Sequence, residues 1–290
     1  MIKCKICNSE MKKYFKKYEK ITKNYFEYYK CSNKDCGLLS IYPEPSDKTL
    51  SEIYGYDYYK SWGDYYNYRD IINKQKQDTF SDIIKLLDIK ENDKVLDCGC
   101  ATGALIQLGL QLKWDIYGFD INPVSKEESK LYTKEERVYN CDIFGLPFED
   151  KTFDYIFMLD FIEHPRNPEE YVKKSFELLK ENGKLIITTP NFQSLSRKIL
   201  RKSWPHFLNE HINIFSPNSI KLLLKKYFRK ISIKNNYKIL TLKYFLEWIY
   251  TKSPNLFAKS SNLALKLIPI RLHYKKIKIK TGEILIICKK

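Results

Sequence analysis

The chain has 290 residues, 43% of them hydrophobic and 15% aromatic, and a formal net charge of +16. That much apolar surface excludes a disordered chain, and the length suits one large domain or one domain with appendages. No run of about 18 uncharged apolar residues is present, and MIKCKICNSE carries no apolar signal-like region, so the expectation is a cytoplasmic protein with mostly reduced cysteines. The charge is uneven: +4 over 1–47, −7 over 48–196 and +19 over 197–290. A basic C-terminal third points to an anionic partner, either a phosphate-bearing small molecule, a membrane surface or nucleic acid, or else to a lysine-rich solvated surface.

In chain order, residues 1–45 read as short strand-like pieces forming a small separate lobe. Cys4-x2-Cys7 and Cys31-x4-Cys36 make two knuckle-like pairs. Four thiolates from two turns complete a tetrahedral zinc set, and a lobe this short and poor in aliphatic residues needs such a staple. One structural zinc at Cys4, Cys7, Cys31 and Cys36 is expected. Residues 46–92 form an aromatic-rich helical linker or cap, with Tyr54, Tyr56, Tyr58 and Tyr59 close together. IINKQKQDTFSDIIKLLD places Ile71, Ile72, Phe80, Ile83, Ile84 and Leu87 at helical spacing and reads as one helix.

Strands and helices then alternate. VLDC, DIYGFD, RVYNCD, FDYIFML and KLIITTP read as strands. GALIQLGLQL, PVSKEESKLY and PEEYVKKSFELLKE read as helices, the last ended by Asn182-Gly183. That order predicts an α/β domain, a parallel sheet with helices on both faces, over 93–240. SPNSIKLLLKKYF is a helix with Ser216 as N-cap and Pro217 in its first turn. KISIKNN and EILIICKK pair antiparallel, so 277–290 returns to close the sheet. Between them, 241–276 is a basic amphipathic helical insertion: Lys243, Lys252, Lys259, Lys266, Arg271, Lys275 and Lys276 face Glu247 alone, with Trp248 and Phe257 interleaved. This is the composition of an acceptor-pocket cap or of a segment in peripheral contact with an anionic membrane, which for a cytoplasmic protein would be the inner membrane surface.

The turn Asp97-Cys98-Gly99-Cys100-Ala101-Thr102-Gly103 joins a strand to a helix. Gly99 permits close backbone approach to a ligand, and Gly103 lets the helix start nearby. Asp120 ends the next strand, where a carboxylate can bind two ribose hydroxyls, and Asp142 ends the third strand-like run. Cys100 breaks the dinucleotide fingerprint G-x-G-x-x-G, which disfavours a nicotinamide cofactor.

VLDCGCATG, YGFDINP, NCDIFGLPFEDKTFDYIFMLDFIEH and GKLIITTPN, in this order and spacing, resemble the class I S-adenosylmethionine-dependent methyltransferases over roughly 80–237. The resemblance implies a Rossmann-like methyltransferase sheet. It implies that Asp97, Gly99, Cys100 and Gly103 form the cofactor turn, with Asp97 and Gly99 against the methionine portion. Asp120 with Ile121 would then meet the ribose, and Asp142 with Ile143 would flank the adenine. The family's glycine turn often carries Cys where Cys100 stands, so Cys98 and Cys100 read as small buried residues rather than a reactive pair. CKICNS with YKCSNKDCGLLSIYPEP resembles the zinc-binding module preceding some bacterial and archaeal methyltransferases, many of which act on sugars.

Asp160, Glu163 and His164 follow the fourth strand, and His211 comes later in NEHINIFSP. His164 or His211 could serve as general base, with Glu163 beside them. Alternatively Asp160, Glu163, His164 and His211 could hold a second divalent ion. The latter resembles the E-x-x-E-H arrangement of ubiquinone-pathway O-methyltransferases and small-RNA 3′-end methyltransferases, with Asp160 in place of the first Glu. The plain alternative is a turn that packs beside the cofactor. The function expected is methyl transfer to an oxygen or carbon of a small, anionic acceptor, first a sugar or lipid- or nucleotide-linked sugar and second a quinone-type or other small acceptor. The competing class is an RNA methyltransferase or nucleic-acid-binding zinc protein, which requires Tyr14, Phe15 and Tyr18 on one basic face.

Overall fold

The structure, a computed structural model, describes residues 1–19, 23–54, 65–133, 135–252 and 267–290. Strands β1 (Met11–Glu19), β2 (Asn24–Cys31) and β3 (Leu39–Ile41) form an antiparallel sheet, followed by α1 (Asp47–Ile53) and α2 (Tyr65–Ile84). The alternating part contains β4 (Lys94–Cys98), α3 (Ala104–Gln111), β5 (Asp115–Phe119), α4 (Pro123–Ser129), β6 (Val138–Tyr139), β7 (Phe153–Leu159), α5 (Pro168–Leu178) and β8 (Leu179–Pro190). Beyond it lie α6 (Leu195–Leu200), β9 (Asn213–Ile214), α7 (Pro217–Leu224), β10 (Lys230–Asn235), β11 (Lys238–Thr241), α8 (Leu242–Lys252), β12 (Lys276–Ile279) and β13 (Glu283–Lys289).

The main sheet has seven strands in the order β10-β13-β8-β7-β4-β5-β6. The pairs β4–β5, β4–β7, β5–β6 and β7–β8 are parallel, whereas β13 runs antiparallel to both β8 and β10. This is the Rossmann-like methyltransferase fold expected, closed by the pair KISIKNN and EILIIC. Its central strands are apolar throughout because helices cover both faces: Leu96, Ile156, Phe157, Ile186 and Ile187 are all fully buried.

The N-terminal sheet takes its fourth strand, β9, from residues 213–214, far along the chain. Cys4, Ile6, Cys36 and Leu38 share one apolar cluster with Leu96, Ile162 and Phe215 of the larger domain. A second cluster fills the lobe itself, where Phe15 and Tyr28 stack with ring centres 4.5 Å apart against Phe207 and Trp204.

Three elements differ from expectation. The helix read from 71–88 starts earlier and stops at Ile84. The helix expected to reach Glu181 ends at Leu178, because Leu179 already pairs with Phe153 in the sheet. The insertion is not purely helical: β11 and β12 form a two-stranded ribbon at its base. Tyr56, Tyr58, Tyr59, Phe257, Lys259 and Lys266 lie outside the described residues. No helix among the described residues is long and apolar enough to cross a membrane.

The start of α7 follows the sequence closely. Ser216 and Ser219 form a reciprocal capping box, and the buried Ser216 hydroxyl also donates to the Cys36 carbonyl at 2.5 Å. Replacing Ser216 with Ala removes both bonds in a buried setting. Chemical denaturation of S216A is expected to show a loss of about 1–2 kcal/mol.

Candidate active site

The carboxyl ends of β4, β5 and β7 open into one cavity of about 1070 Å³. On one wall, the turn after β4 needs backbone that only glycine adopts cheaply. Gly99 has φ +68°, and a Cβ there would lie 2.5 Å from Phe161 Cδ2, while Gly103 has φ +75°. The backbone N–H groups of Gly99 and Cys100 both donate to the Phe119 carbonyl, locking the turn to β5. The Asp120 carboxylate accepts from Ala101 N at 2.9 Å and from Asn122 N at 2.8 Å, so it is fixed at the cavity wall.

Gly99, Asp120, Ile121 and Asp142 all line the cavity, and Ile121 is 62% exposed. Asp142 turns its own loop by accepting from the N–H groups of Phe144 and Gly145, which holds the half-exposed Phe144 ring at the wall. Ile143 points instead into the core. Cys98 and Cys100 are buried, Cys100 packing where Gly118 leaves room. Asp97 is buried at the end of β4. Burial raises its carboxyl to about 8, opposed by the charge of Lys76. Burial in turn lowers Lys76 to about 8. This wall fits S-adenosylmethionine: a left-handed glycine turn, an anchored carboxylate and an exposed apolar side chain lie in sequence along it.

A second wall of the same cavity holds Glu163, His164 and His211, whose ligand atoms lie within 4.8 Å of one another. Glu163 is fully buried. Its Oε2 accepts from Thr189 Oγ1 at 2.9 Å, and its Oε1 has no hydrogen-bond partner among the described residues. Burial first, then the nearby Asp160 charge, pushes its carboxyl well above the usual range. The His206 carbonyl can only accept, so His211 Nδ1 donates to it at 2.9 Å and the lone pair lies on Nε2. His164 Nδ1 meets the Tyr54 hydroxyl at 2.7 Å. A buried carboxylate oxygen lacking a partner beside two imidazoles fits a divalent ion.

Asp160 does not join that cluster. It accepts from Thr188 Oγ1 and pairs with Lys238 at 2.8 Å, and Lys238 also pairs with the buried Glu283 at 2.8 Å. Burial alone would raise the Asp160 carboxyl, but the Lys238 charge holds it below the ordinary range. Sequence spacing could not reveal this net, since Lys238 and Glu283 arrive from β11 and β13. The available signal was Glu283 itself, one of three acids in the basic C-terminal third and the first residue of an apolar strand. Tyr54 was visible only as one tyrosine among several.

In the N-terminal lobe, Cys4 Sγ lies 3.8 Å from Cys36 Sγ, and Cys7 Sγ lies 3.4 Å from Cys31 Sγ. All four sulfurs fall within 4.8 Å. A tetrahedral ion with bonds of about 2.3 Å separates its sulfurs by roughly 3.8 Å, so the set fits zinc. Asn8 and Gly37, each following the second cysteine of its pair, take the left-handed backbone that such a knuckle requires.

A family model described as a methyltransferase domain matches residues 71–227. The chain is 32% identical over 148 residues to an uncharacterized protein of Methanocaldococcus jannaschii, covering 49% of this chain and 63% of that one. It is 30% identical over 118 residues to the ubiquinone biosynthesis O-methyltransferase of Pelagibacter ubique, covering 38% and 49%. The chain thus spans less than two thirds of the length of these relatives. It is similar in fold to a SAM-dependent methyltransferase from Thermotoga maritima (TM-score 0.53, 15% identity, 80% of this chain and 97% of that one). The YcgJ protein of Bacillus subtilis gives a TM-score of 0.52 at 16% identity, covering 73% and 97%.

Burial, reinforced by the Lys238 charge, lowers His206 to about 4. Between its ordinary value near 6.5 and about 4, the unfolded chain takes up the proton and the folded chain does not. Stability from this group is therefore complete above the unfolded value and lost as pH falls. Melting temperatures of wild type and His206→Asn compared across this window should show the wild type losing ground towards acid.

Proposed function

The chain belongs to the methyltransferase-domain family of S-adenosylmethionine-dependent enzymes, and we propose that it methylates an oxygen or carbon of a small acceptor, with a sugar or lipid- or nucleotide-linked sugar as first choice. The observation that carries this reading is that one cavity holds both the Gly99–Asp120 wall and the Glu163–His164–His211 wall. S-adenosylmethionine, when bound, supplies a methyl group on a sulfonium for in-line transfer. Asp120 would accept from the ribose hydroxyls, and Ile121 and Phe144 would flank the base. Holding the two reactants in line accounts for much of the rate. His211 Nε2, with no hydrogen on it, receives the proton as an acceptor hydroxyl attacks, and Tyr54 orients His164 beside it. Thr188, Asn236, Lys238 and Glu283 also line the cavity. These hydrogen-bonding groups suit an acceptor with several hydroxyls. Of the aromatics that a nucleic-acid surface would use, Phe15 is buried in the lobe core.

Asp120→Ala removes the anchored acceptor of two hydroxyl bonds. Isothermal titration should show S-adenosylmethionine affinity reduced at least about tenfold. Absence of cofactor binding in the wild type would refute the reading.

A second reading of the acceptor wall rests on the unpartnered Glu163 oxygen: Glu163, His164 and His211 hold a divalent ion, which would acidify an acceptor hydroxyl. In the N-terminal lobe, Cys4, Cys7, Cys31 and Cys36 hold a structural zinc. Elemental analysis of metal-replete protein should give about one zinc per chain, lost in Cys31→Ser/Cys36→Ser. An additional ion, lost in Glu163→Gln but kept in the cysteine variant, would establish the second site. Unchanged zinc in the cysteine variant would overturn the first.

A further inference from the structure

A groove of about 520 Å³ lies beside the cysteine lobe, between β1, the end of β2 and α6. Its charged lining is Lys12, Lys13, Lys30, Lys34, Arg197 and Lys198, without a carboxylate. Glu27 neutralises Lys13. Lys12, Lys34 and Lys198 form no ion pair among the described residues, and neither do the exposed Arg201 and Lys202 just beyond α6. On the same helix Leu195 is 71% exposed and Ile199 67% exposed. Four residues apart, they form one apolar ridge flanked by cations.

We propose that this face docks the protein peripherally on an anionic phospholipid surface. Leu195 and Ile199 enter the boundary between headgroups and acyl chains, and the surrounding lysines and arginines meet lipid phosphates. Exposed aliphatic side chains ringed by cations are suited to that interface and gain nothing from a nucleic-acid backbone. The two rings of the groove, Phe192 and the 45% exposed Tyr14, are both engaged by Arg197. Phe192 is buried, with the Arg197 guanidinium 4.1 Å from its centre, and the Tyr14 hydroxyl accepts from Arg197 at 2.7 Å.

The docking face also has a fixed relation to the cavity. Ser196 of α6 donates to the Thr281 carbonyl and accepts from Trp204 Nε1, and His206 Nε2 meets the same carbonyl at 3.3 Å. Thr281, His206 and Glu283 line the cavity. Docking through α6 therefore brings the acceptor wall close to the bilayer, where an amphiphilic acceptor would enter. The docking is independent of the methyl-transfer reading.

The test is cosedimentation of the full chain with vesicles of phosphatidylcholine alone or with about a third phosphatidylglycerol. Wild type should sediment only with the anionic vesicles, and less as salt is raised. Two variants divide the contributions: Lys12→Glu/Lys34→Glu/Lys198→Glu removes the cations, and Leu195→Asn/Ile199→Asn removes the ridge. Each should weaken vesicle binding about tenfold or more, with unchanged melting temperature and S-adenosylmethionine affinity. Failure of wild type to bind anionic vesicles overturns the proposal. So does wild-type binding that neither variant weakens, which would assign the contact to the basic segment near 241–276. Retention of single-stranded RNA in place of vesicles also overturns it. Loss of cofactor binding in wild type bears on the methyl-transfer reading alone.

Discussion

Asn213 is the residue on which the two halves of the molecule depend. Its fully buried side chain accepts from Ser40 Oγ of the N-terminal sheet at 3.1 Å and donates to the Pro165 carbonyl at 2.7 Å. Its backbone N–H donates to the Glu163 carbonyl. A buried amide is stable only when its groups are paired, so the segment from Glu163 to Pro165 and the strand β3 are held in one register. The Glu163–Pro165 segment at the cavity thus stands on the cysteine lobe as much as on the sheet that carries it. The Ser216–Cys36 bond repeats the connection just beyond β9, at the start of α7.

Polar burial also explains why α2 is a weakly patterned helix. Asn73, Gln75, Gln77 and Thr79 are buried, and Gln75, Lys76 and Thr79 line the cavity. Thr102 donates to Asn73, and the backbone N–H of Ile239 donates to Thr79. Part of the helix faces the cavity and part binds β11 directly through the Ile239 N–H, so its inward surface is not apolar throughout. The ion net of Asp160, Lys238 and Glu283, of which Glu283 alone is buried, lines the same chamber. Lys238 serves both acids, so its removal would leave two like carboxylate charges without their shared cation.

Much of the architecture was legible because it is written in local patterns. Apolar strand runs, the Asp97–Gly103 turn and the capping serine each act through neighbours close in sequence. The four N-terminal cysteines were legible for the same reason, since each pair is one turn. Glu163, His164 and His211 could be nominated from residue type, but their convergence depends on β9 crossing to the other sheet. Asp160 was assigned to that group by adjacency. Its actual partner lies 78 residues away and is delivered by a ribbon that the helical reading of the insertion concealed. Ile143 and Phe144 show the limit at finer scale. A one-residue difference decides which side chain faces the core, and the short turn capped by Asp142 sets that choice.

Tyr54 joins both sides of the chamber. Its hydroxyl meets His164, and its carbonyl accepts from the Asn122 side chain, next to Asp120. A ligand that moves Tyr54 as a whole alters the free energy of binding at both sides, and the effect is equal in both directions. Cofactor and acceptor that each engage this residue are therefore thermodynamically linked, and the sign of the linkage follows from whether the two ask for the same position of one side chain.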